Sequence, residues 1–181
     1  MTARGAAAIG MMFVSLVLMG GVANGFDQND LVKLKSFNQC VNCDLSNANL
    51  SRAGLSGATL TGTNLIQTNL SQADLTGANL HKAKLNYANL NGAFLSRANL
   101  NQANLNQADL GGADLGGADL SVAGLSDAFL SRANLSGANL SGADLHGANL
   151  GGANLTGAIL SGAEWTDGTR CKQGSIGQCN K

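Results

Sequence analysis

Proline is absent from this sequence, and aromatic and charged residues are scarce. Of 181 residues none is Pro, 4% are Phe, Trp or Tyr, and 12% are charged. About 9 prolines would be expected at average usage, so their absence predicts a fold in which backbone N–H groups are needed throughout as hydrogen-bond donors. The 11 basic and 11 acidic residues balance, which leaves no long-range field to attract nucleic acid or an anionic membrane. We therefore expect neither to be a partner.

The first 25 residues have the layout of a secretory signal peptide. One positive charge, Arg4, precedes an apolar stretch over residues 6–19, and small residues follow. The stretch is shorter than the roughly 20 residues that cross a bilayer as a helix, which favours cleavage over a retained N-terminal anchor. Ala23 and Gly25 place the cut before Phe26, and a cut after Ala23 is the alternative. The sequence predicts export, with no membrane span left after cleavage.

A period of five residues organises most of the remaining chain. From Leu45 to Leu160 every fifth residue is leucine, which gives 24 leucines, and Trp165 takes the next place in phase. The position two before each residue of this series from Leu50 to Trp165 is alanine in 22 of 24 cases, with Thr63 and Thr68 as the exceptions. Because repeats decide the architecture before local propensities do, the region 44–165 is predicted to be one repeat domain.

The fivefold spacing excludes a helix and favours a coiled β-structure. Leucines five apart would advance about 140° around a helix and form no stripe. In a strand, residues two apart face the same side, so the Ala and the Leu of a unit point inward together, and a turn must follow before the next unit. Twelve of the second turn positions are glycine, where left-handed backbone is cheap. Four units then close one coil of 20 residues, about six coils stack at roughly 4.8 Å, and leucine fills the interior.

The repeat A(N/D)LxG resembles that of the pentapeptide-repeat family. This resemblance covers residues 44–165 and implies an all-β fold, a right-handed quadrilateral β-helix. The segments NQCVNCDLSNANL (residues 38–50) and WTDGTRCKQGSIGQC (residues 165–179) look like those of cyanobacterial and chloroplast members exported to the thylakoid lumen or periplasm. The second resemblance implies a location and no activity.

The two ends of the repeat domain need caps because a solenoid otherwise exposes its core. Residues 26–43 are predicted to form an N-terminal cap in which Asp30 caps a short helix carrying Leu31 and Leu34, with Phe37 covering the first coil. At the other end the indole of Trp165 is predicted to cover the last leucine layer, and residues 166–181 form an irregular tail. With both ends covered, we expect a monomer.

Four cysteines lie in the two caps. Cys40 and Cys43 precede the coils while Cys171 and Cys179 follow them, and a disulfide requires Cα atoms within about 7 Å. The rod therefore favours pairing within each cap, a bond from Cys171 to Cys179 that closes the tail and one from Cys40 to Cys43. Buried free thiols remain the alternative for the second pair. Redox activity and metal binding are weaker alternatives, since a zinc site would need both pairs together.

The surface positions show no catalytic constellation, and we predict no enzyme activity, no cofactor and no metal. Two groupings of apolar residues, Phe94 with Tyr87 and Phe129 with Val122, are candidate contact surfaces. The leading hypothesis is an exported, non-enzymatic structural or protein-binding scaffold with flat faces and an unidentified protein partner. One alternative is a DNA mimic that binds a topoisomerase such as gyrase, as some members of the pentapeptide-repeat family do. The other is a redox-responsive lumenal protein in which Cys40 and Cys43 cycle.

Overall fold

A computed structural model describes residues 25–181. The signal peptide predicted for residues 1–25 therefore lies outside the described residues, apart from Gly25. Within the described range, α1 (Gln28–Phe37) is the one helix, and the β-structure consists of isolated single-residue bridges. No helix in that range combines the length and the apolar character that crossing a membrane requires.

The bridges define a parallel β-solenoid with a constant register. Each of the 22 parallel bridges, from Gln39↔Thr59 to Asp144↔Glu164, joins residues 20 apart. The bridged residues form four rows along the axis. Row 1 starts at Gln39, row 2 at Asp44, row 3 at Asn49 and row 4 at Gly54, and each continues at intervals of 20 residues. Four five-residue units thus complete one coil, as the sequence predicts.

Backbone hydrogen bonding explains the missing prolines. In the unit 99–103 all five amide groups have acceptors. The first, second and fourth donate to carbonyls of the neighbouring coils at 2.9, 2.7 and 3.0 Å. The third donates to Asn99 Oδ1 at 3.0 Å and the fifth to the Leu100 carbonyl at 2.9 Å. A proline at any of these five positions would delete a donor that the structure uses.

The interior is a column of leucine and alanine. The leucines from Leu60 to Leu145 are fully buried, and the alanines beside them are buried almost as completely. Thr63 and Thr68 take alanine positions and are also fully buried. Their hydroxyls donate to the carbonyls of Cys40 and Leu45, so that neither buried oxygen lacks a partner. Both threonines that interrupt the alanine pattern therefore have their buried hydroxyls hydrogen-bonded to backbone carbonyls.

The second residue of each turn lies in the left-handed region, whether or not it is glycine. Gly142 has φ +66°, and Val122, one coil earlier at the same turn, has φ +58°. Left-handed backbone costs a non-glycine residue about 1–2 kcal/mol, and a β-branched residue is especially unsuited to it. The fivefold repeat therefore forces strain on Val122 that Gly142 does not carry.

We expect Val122→Gly to stabilise the protein by about 1 kcal/mol, because relief of this strain outweighs the added chain entropy of glycine. Gly142→Val is the reciprocal variant, and its new Cβ would lie 3.7 Å from Val122 Cγ2, an ordinary contact. It should therefore destabilise through backbone conformation alone. Denaturant unfolding followed by circular dichroism measures both changes. Equal destabilisation by both variants would refute the strain argument.

The N-terminal cap corrects two sequence predictions. Asp30 is not the N-cap residue of α1; that place belongs to Asp27, whose carboxylate accepts from the Asn29 N–H at 2.8 Å. Phe37 does not cover the first coil, because it is the last residue of the helix and is 70% exposed. The side chains that α1 buries are Leu31 and Leu34. Sequence analysis misplaced the helix start by three residues and with it the cap.

Phe26 supplies the aromatic ring that the N-terminal cap needs. It precedes α1 and packs, partly buried, against the core. Leu50 and Leu55 in the first coil are each 5% exposed, so this end of the core is closed. The segment before α1 is held by the Asp27 N–H, which donates to the Asp44 carbonyl at 3.1 Å.

The C-terminal tail covers only part of the other end. It pairs antiparallel with row 1 through Ile159↔Ile176 and with row 2 through Glu164↔Arg170, while rows 3 and 4 have no such partner within residues 25–181. Trp165 is partly buried against the core. The prediction that both ends are covered is therefore wrong at this end for rows 3 and 4, and the expectation of a monomer loses its premise.

Candidate functional site

The surface between the turns before and after row 3 carries aromatic, acidic and basic side chains. We call Tyr87, Asp109, Phe129 and Arg132, together with the groove described below, the row-3 surface. Tyr87 lies at the turn that leads into row 3, Phe129 is in the row, and Arg132 lies at the turn that leaves it. Tyr87 and Phe129 are 56% and 55% exposed, and two coils, or about 10 Å, separate them along the axis.

A shallow groove of about 660 Å³ lies along the turn between rows 3 and 4. Its floor is Gly111 and Gly112, which have no side chains to fill it. The upper wall is Asn91, whose Nδ2 lies only 2.8 Å from where a Cβ on Gly111 would be. Ser131 and Arg132 form the lower wall, and the remaining lining residues are Asn149 and Gly151. The sequence analysis assigned the glycines at the second turn positions, Gly112 among them, to turns alone and did not predict this groove.

The charged and aromatic side chains of the row-3 surface are of types found where one protein binds another. Asp109 Oδ1 accepts the Gly111 N–H at 2.9 Å. Arg132 has no carboxylate within ion-pair distance in the described part of the chain. Tyr87 and Arg132 are of residue types that are enriched among those dominating the binding energy of protein interfaces, and Phe129 adds a second exposed aromatic side chain.

The two apolar groupings predicted from the sequence do not form as predicted. Phe94 lies in row 4 between Asp74 and Asp114, whereas Tyr87 lies before row 3. Val122 lies at the turn between rows 1 and 2, whereas its predicted neighbour Phe129 belongs to row 3. All four side chains are at least half exposed. The structure instead brings Tyr87 and Phe129 onto one surface.

Asp114 is the most strongly hydrogen-bonded carboxylate of row 4. The Ser96 hydroxyl, the Gly116 N–H at 3.1 Å and the Asn134 side-chain amide at 2.8 Å all donate to it. These donors, the Ser96 hydroxyl above all, hold the pKa of Asp114 below its usual value, although burial opposes them. The bonds therefore favour the charged form.

The lowered pKa of Asp114 predicts acid sensitivity. A carboxylate whose pKa is lower in the folded state stabilises the fold above its unfolded pKa near 4, and this contribution is lost as the pH falls through the folded pKa. We expect Asp114→Asn to be less stable than wild type at neutral pH and to lose less stability on acidification. Ser96→Ala, which removes the largest cause, should give a smaller change of the same sign. The test is urea unfolding from pH 7 to pH 2; unchanged acid dependence in both variants would contradict the assignment.

The cysteines of the N-terminal cap lie beneath α1. Cys40 and Cys43 form a disulfide with Cα atoms 5.3 Å apart, and both are buried. Lys33 Nζ is 3.9 Å from Cys43 Sγ and 3.0 Å from Asp30 Oδ1. The Asp44 N–H donates to Asp30 Oδ2 at 2.9 Å; this bond is the main cause of the lowered pKa of Asp30, and Lys33 adds to it.

Asp30, Cys40 and Cys43 are the one group in the described residues whose ligand atoms lie close enough to hold a metal ion. The two sulfurs are bonded to each other, however, and offer no thiolates, while the adjacent Lys33 ammonium opposes a cation. The second disulfide joins Cys171 to Cys179 with Cα atoms 5.0 Å apart and closes the tail. The structure therefore has the pairing within each cap that the sequence favours.

The comparisons with known proteins agree on one family. The family model described as pentapeptide repeats matches eight copies, over residues 39–77, 53–92, 83–121 and 123–162. No curated protein sequence matches the chain. Among solved structures, HetL, a pentapeptide repeat protein involved in heterocyst differentiation regulation from the cyanobacterium Nostoc sp. strain PCC 7120, is 39% identical, with 73% of this chain and 72% of that chain covered and a TM-score of 0.44.

Two further solved structures have lower sequence identity to this chain. A pentapeptide repeat protein from the Arabidopsis thaliana thylakoid lumen is 26% identical over 78% of this chain and 84% of that chain, with a TM-score of 0.30. Full-length QnrB1, a plasmid-mediated fluoroquinolone resistance protein, is 20% identical over 70% of this chain and 76% of that chain, with a TM-score of 0.47.

Proposed function

Because this chain belongs to the pentapeptide-repeat family, whose members form right-handed β-helices and bind protein partners, we propose that it is an exported, non-enzymatic scaffold that binds a protein through the row-3 surface. The observation that carries the proposal is the placement of three exposed side chains on one surface: Tyr87 at the turn before row 3, Phe129 in the row, and Arg132 at the turn after it, where it lines the groove. A filled solenoid interior leaves the outside as the place for function.

The proposal includes the finer architecture. We take the β-helix to be quadrilateral with about six coils over residues 44–165, between an N-terminal cap at 26–43 and a tail at 166–181. The four rows and the 20-residue register support this shape. A backbone ladder without a break along the rod holds the row-3 side chains at fixed spacing, so little ordering is left to oppose binding.

Crosslinking from single positions tests the binding surface. A photoreactive amino acid at Tyr87 or at Phe129 should crosslink one common protein in the compartment where the scaffold is found. The same amino acid at Phe94 or Val122 is the matched control, because these residues are 51% and 60% exposed and lie away from row 3. Equal crosslinking from all four positions, or from the control positions alone, would exclude the row-3 surface.

Export is tested separately, by cell fractionation with N-terminal sequencing of the protein. Export to the thylakoid lumen or periplasm predicts a chain beginning at or near Phe26. A chain that begins at Met1 or Thr2 in the cytosol would contradict cleavage and export while leaving the row-3 surface open to the crosslinking test.

One observation favours a second candidate, the redox-responsive protein. Lys33 lies 3.9 Å from Cys43 Sγ, and a nearby ammonium stabilises a thiolate, which would assist reduction of the Cys40–Cys43 bond. Thiol trapping in cells kept under oxidising and reducing conditions decides it: a pair found in the same state under both conditions would end this candidate.

The third candidate, the topoisomerase-binding DNA mimic, requires rows of carboxylates. In row 3 the repeat region has a single acidic residue, Asp109, and the whole chain has a formal net charge of zero. This distribution gives the candidate little support. A DNA supercoiling assay with the purified protein tests it directly, and inhibition of the topoisomerase would revive it.

A further inference from the structure

A lysine lies beside the buried cysteine pair of the N-terminal cap, where a disulfide makes no use of its charge. Cys40 and Cys43 are 0% and 4% exposed, and Lys33 Nζ is 3.9 Å from Cys43 Sγ. A disulfide is neutral, so a nearby ammonium adds little to it. Two thiolates in the same place are charged, and an ammonium stabilises them. The position of Lys33 therefore points to a function of the reduced pair.

The backbone around the two cysteines is held without help from the disulfide. The Cys40 N–H donates to the Thr59 carbonyl at 2.7 Å, and the Cys43 carbonyl accepts the Asn64 N–H at 2.8 Å. The Thr63 hydroxyl donates to the Cys40 carbonyl. All three partners belong to the second coil. Removal of the S–S bond therefore leaves both cysteines at fixed places on either side of one turn, as the ligands of a preorganised site must be.

Reduction converts the pair into metal ligands. A dithiol passes two electrons to the bond between Cys40 Sγ and Cys43 Sγ; this bond breaks, two cysteine thiols form, and the dithiol becomes a disulfide. A metal ion then binds both sulfurs as thiolates and releases their two protons to solvent. The step needs a pair that can be reduced, which the redox-responsive candidate under the proposed function also requires.

The charges around the pair determine which ion fits. Thiolates are soft ligands and favour soft ions such as Cu(I). Two thiolates and one monovalent ion leave a single negative charge, which Lys33 balances, so the ammonium that opposes a free cation favours this complex. Zn²⁺ would need more ligands, and the Asp30 carboxylate is the one further group of the cluster within reach in the described residues. Asp30 already accepts the Asp44 N–H at 2.9 Å and the Lys33 ammonium at 3.0 Å, so binding Zn²⁺ would break both bonds.

We propose that Cys40 and Cys43, once reduced, bind one Cu(I) ion between their two thiolates, with Lys33 neutralising the complex. α1 covers the site, and its Leu31 and Leu34 are 5% and 2% exposed. An apolar cover of this kind controls the access of water to a metal centre. The N-terminal cap thereby has a ligand of its own, apart from the protein partner of the row-3 surface.

Competition for Cu(I) between the protein and the coloured chelator bicinchoninate tests the proposal. The full chain carries Cys171→Ser and Cys179→Ser, so that the tail pair cannot bind, and is reduced with a dithiol that is then removed without air. We expect one Cu(I) ion per chain, bound more tightly than Zn²⁺ by at least about tenfold. Cys40→Ser and Cys43→Ser should each abolish this binding, because one thiolate alone makes no chelate.

Charge variants on α1 separate the neutralising group from the ligands. Lys33→Met should raise the Cu(I) dissociation constant about 10–100-fold, the usual cost of losing an outer partner of a metal site. Lys35→Met is the matched control, because Lys35 is an exposed lysine of the same helix without an ion pair in residues 25–181, and it should leave the constant unchanged. Asp30→Asn should not weaken Cu(I) binding, because the carboxylate is not a ligand of this ion.

Other results overturn the proposal. Two free thiols that bind no Cu(I) would exclude the metal site and leave the redox-responsive candidate standing, whereas a pair that the dithiol cannot reduce would end both. Tighter binding of Zn²⁺, or weaker Cu(I) binding in Asp30→Asn, would make the carboxylate a ligand, and equal losses in Lys33→Met and Lys35→Met would exclude the neutralising role. Circular dichroism confirms that each reduced variant is folded. If the variant without the tail cysteines is unfolded, wild type is compared with Cys40→Ser/Cys43→Ser, and the difference must be one Cu(I) ion.

Discussion

Replacing Leu100 by alanine is expected to lower the free energy of unfolding by about 3–5 kcal/mol, the upper part of the range for a buried leucine. Leu100 is fully buried in the middle of the column. Its neighbours along the axis are held in register by backbone bonds in both directions, such as that from the Leu100 N–H to the Asp119 carbonyl at 2.7 Å. The coils therefore cannot collapse into the cavity, and the cost of the empty volume is retained.

Leu155→Ala is the matched control. It removes the same atoms from the same column, but Leu155 is only partly buried and lies in the last coil. We expect a loss of about 1 kcal/mol, because solvent already reaches this side chain and less buried surface is lost. Denaturant unfolding measures both variants. Equal losses in the free energy of unfolding would mean that the depth of burial does not set the cost of removing a leucine from this column.

The second large effect is expected from Asn104→Pro, about 3 kcal/mol or more. The Asn104 N–H donates to the Ala83 carbonyl at 2.9 Å. Proline removes the donor, leaves that carbonyl unsatisfied and restricts the backbone. It also removes Oδ1, which accepts the Asn106 N–H at 3.1 Å. Asn104→Ala, which loses only the side chain, separates the two contributions and should cost about 1 kcal/mol.

Asn49→Pro provides a further control at the edge of the solenoid. The Asn49 side chain makes the same kind of bond, to the Ser51 N–H at 3.1 Å, but the Asn49 N–H has no acceptor within residues 25–181. We expect Asn49→Pro to resemble Asn104→Ala rather than Asn104→Pro. If both proline variants were equally harmful, lost ladder bonding would not explain why the sequence lacks proline.

The repeat region was predictable because one rule fixes every unit. Leucine recurs without insertion from Leu45 to Leu160, so the inward side, the turn positions and the 20-residue register follow from counting. A one-residue slip would turn all of these side chains outward, which leaves no competing register. Thr63 and Thr68 fit the same rule once the backbone carbonyls above them are known.

The ends were less predictable because the periodicity stops there. Asp27 and Asp30 are both plausible N-caps by residue type, and only the structure shows that Asp27 accepts the Asn29 N–H while Asp30 accepts the Asp44 N–H instead. Phe26, which the sequence analysis treated as a cleavage boundary, packs against the core in place of Phe37. Sequence spacing also brought Phe129 together with Val122 rather than Tyr87, since neighbours in the chain lie on different rows and neighbours on a surface lie two coils apart.

The constant spacing of 20 residues between bridged partners also sets the order in which the protein can be assembled. Every parallel bridge closes a loop of the same short length, so each new coil has the same entropic cost and needs only the coil before it. A chain that emerges from its N-terminus can therefore lay down coils one after another, beginning against α1. Unravelling should proceed in the opposite sense, from residues 148–155, and amide hydrogen exchange should be fastest there and slow progressively toward the middle of the rod.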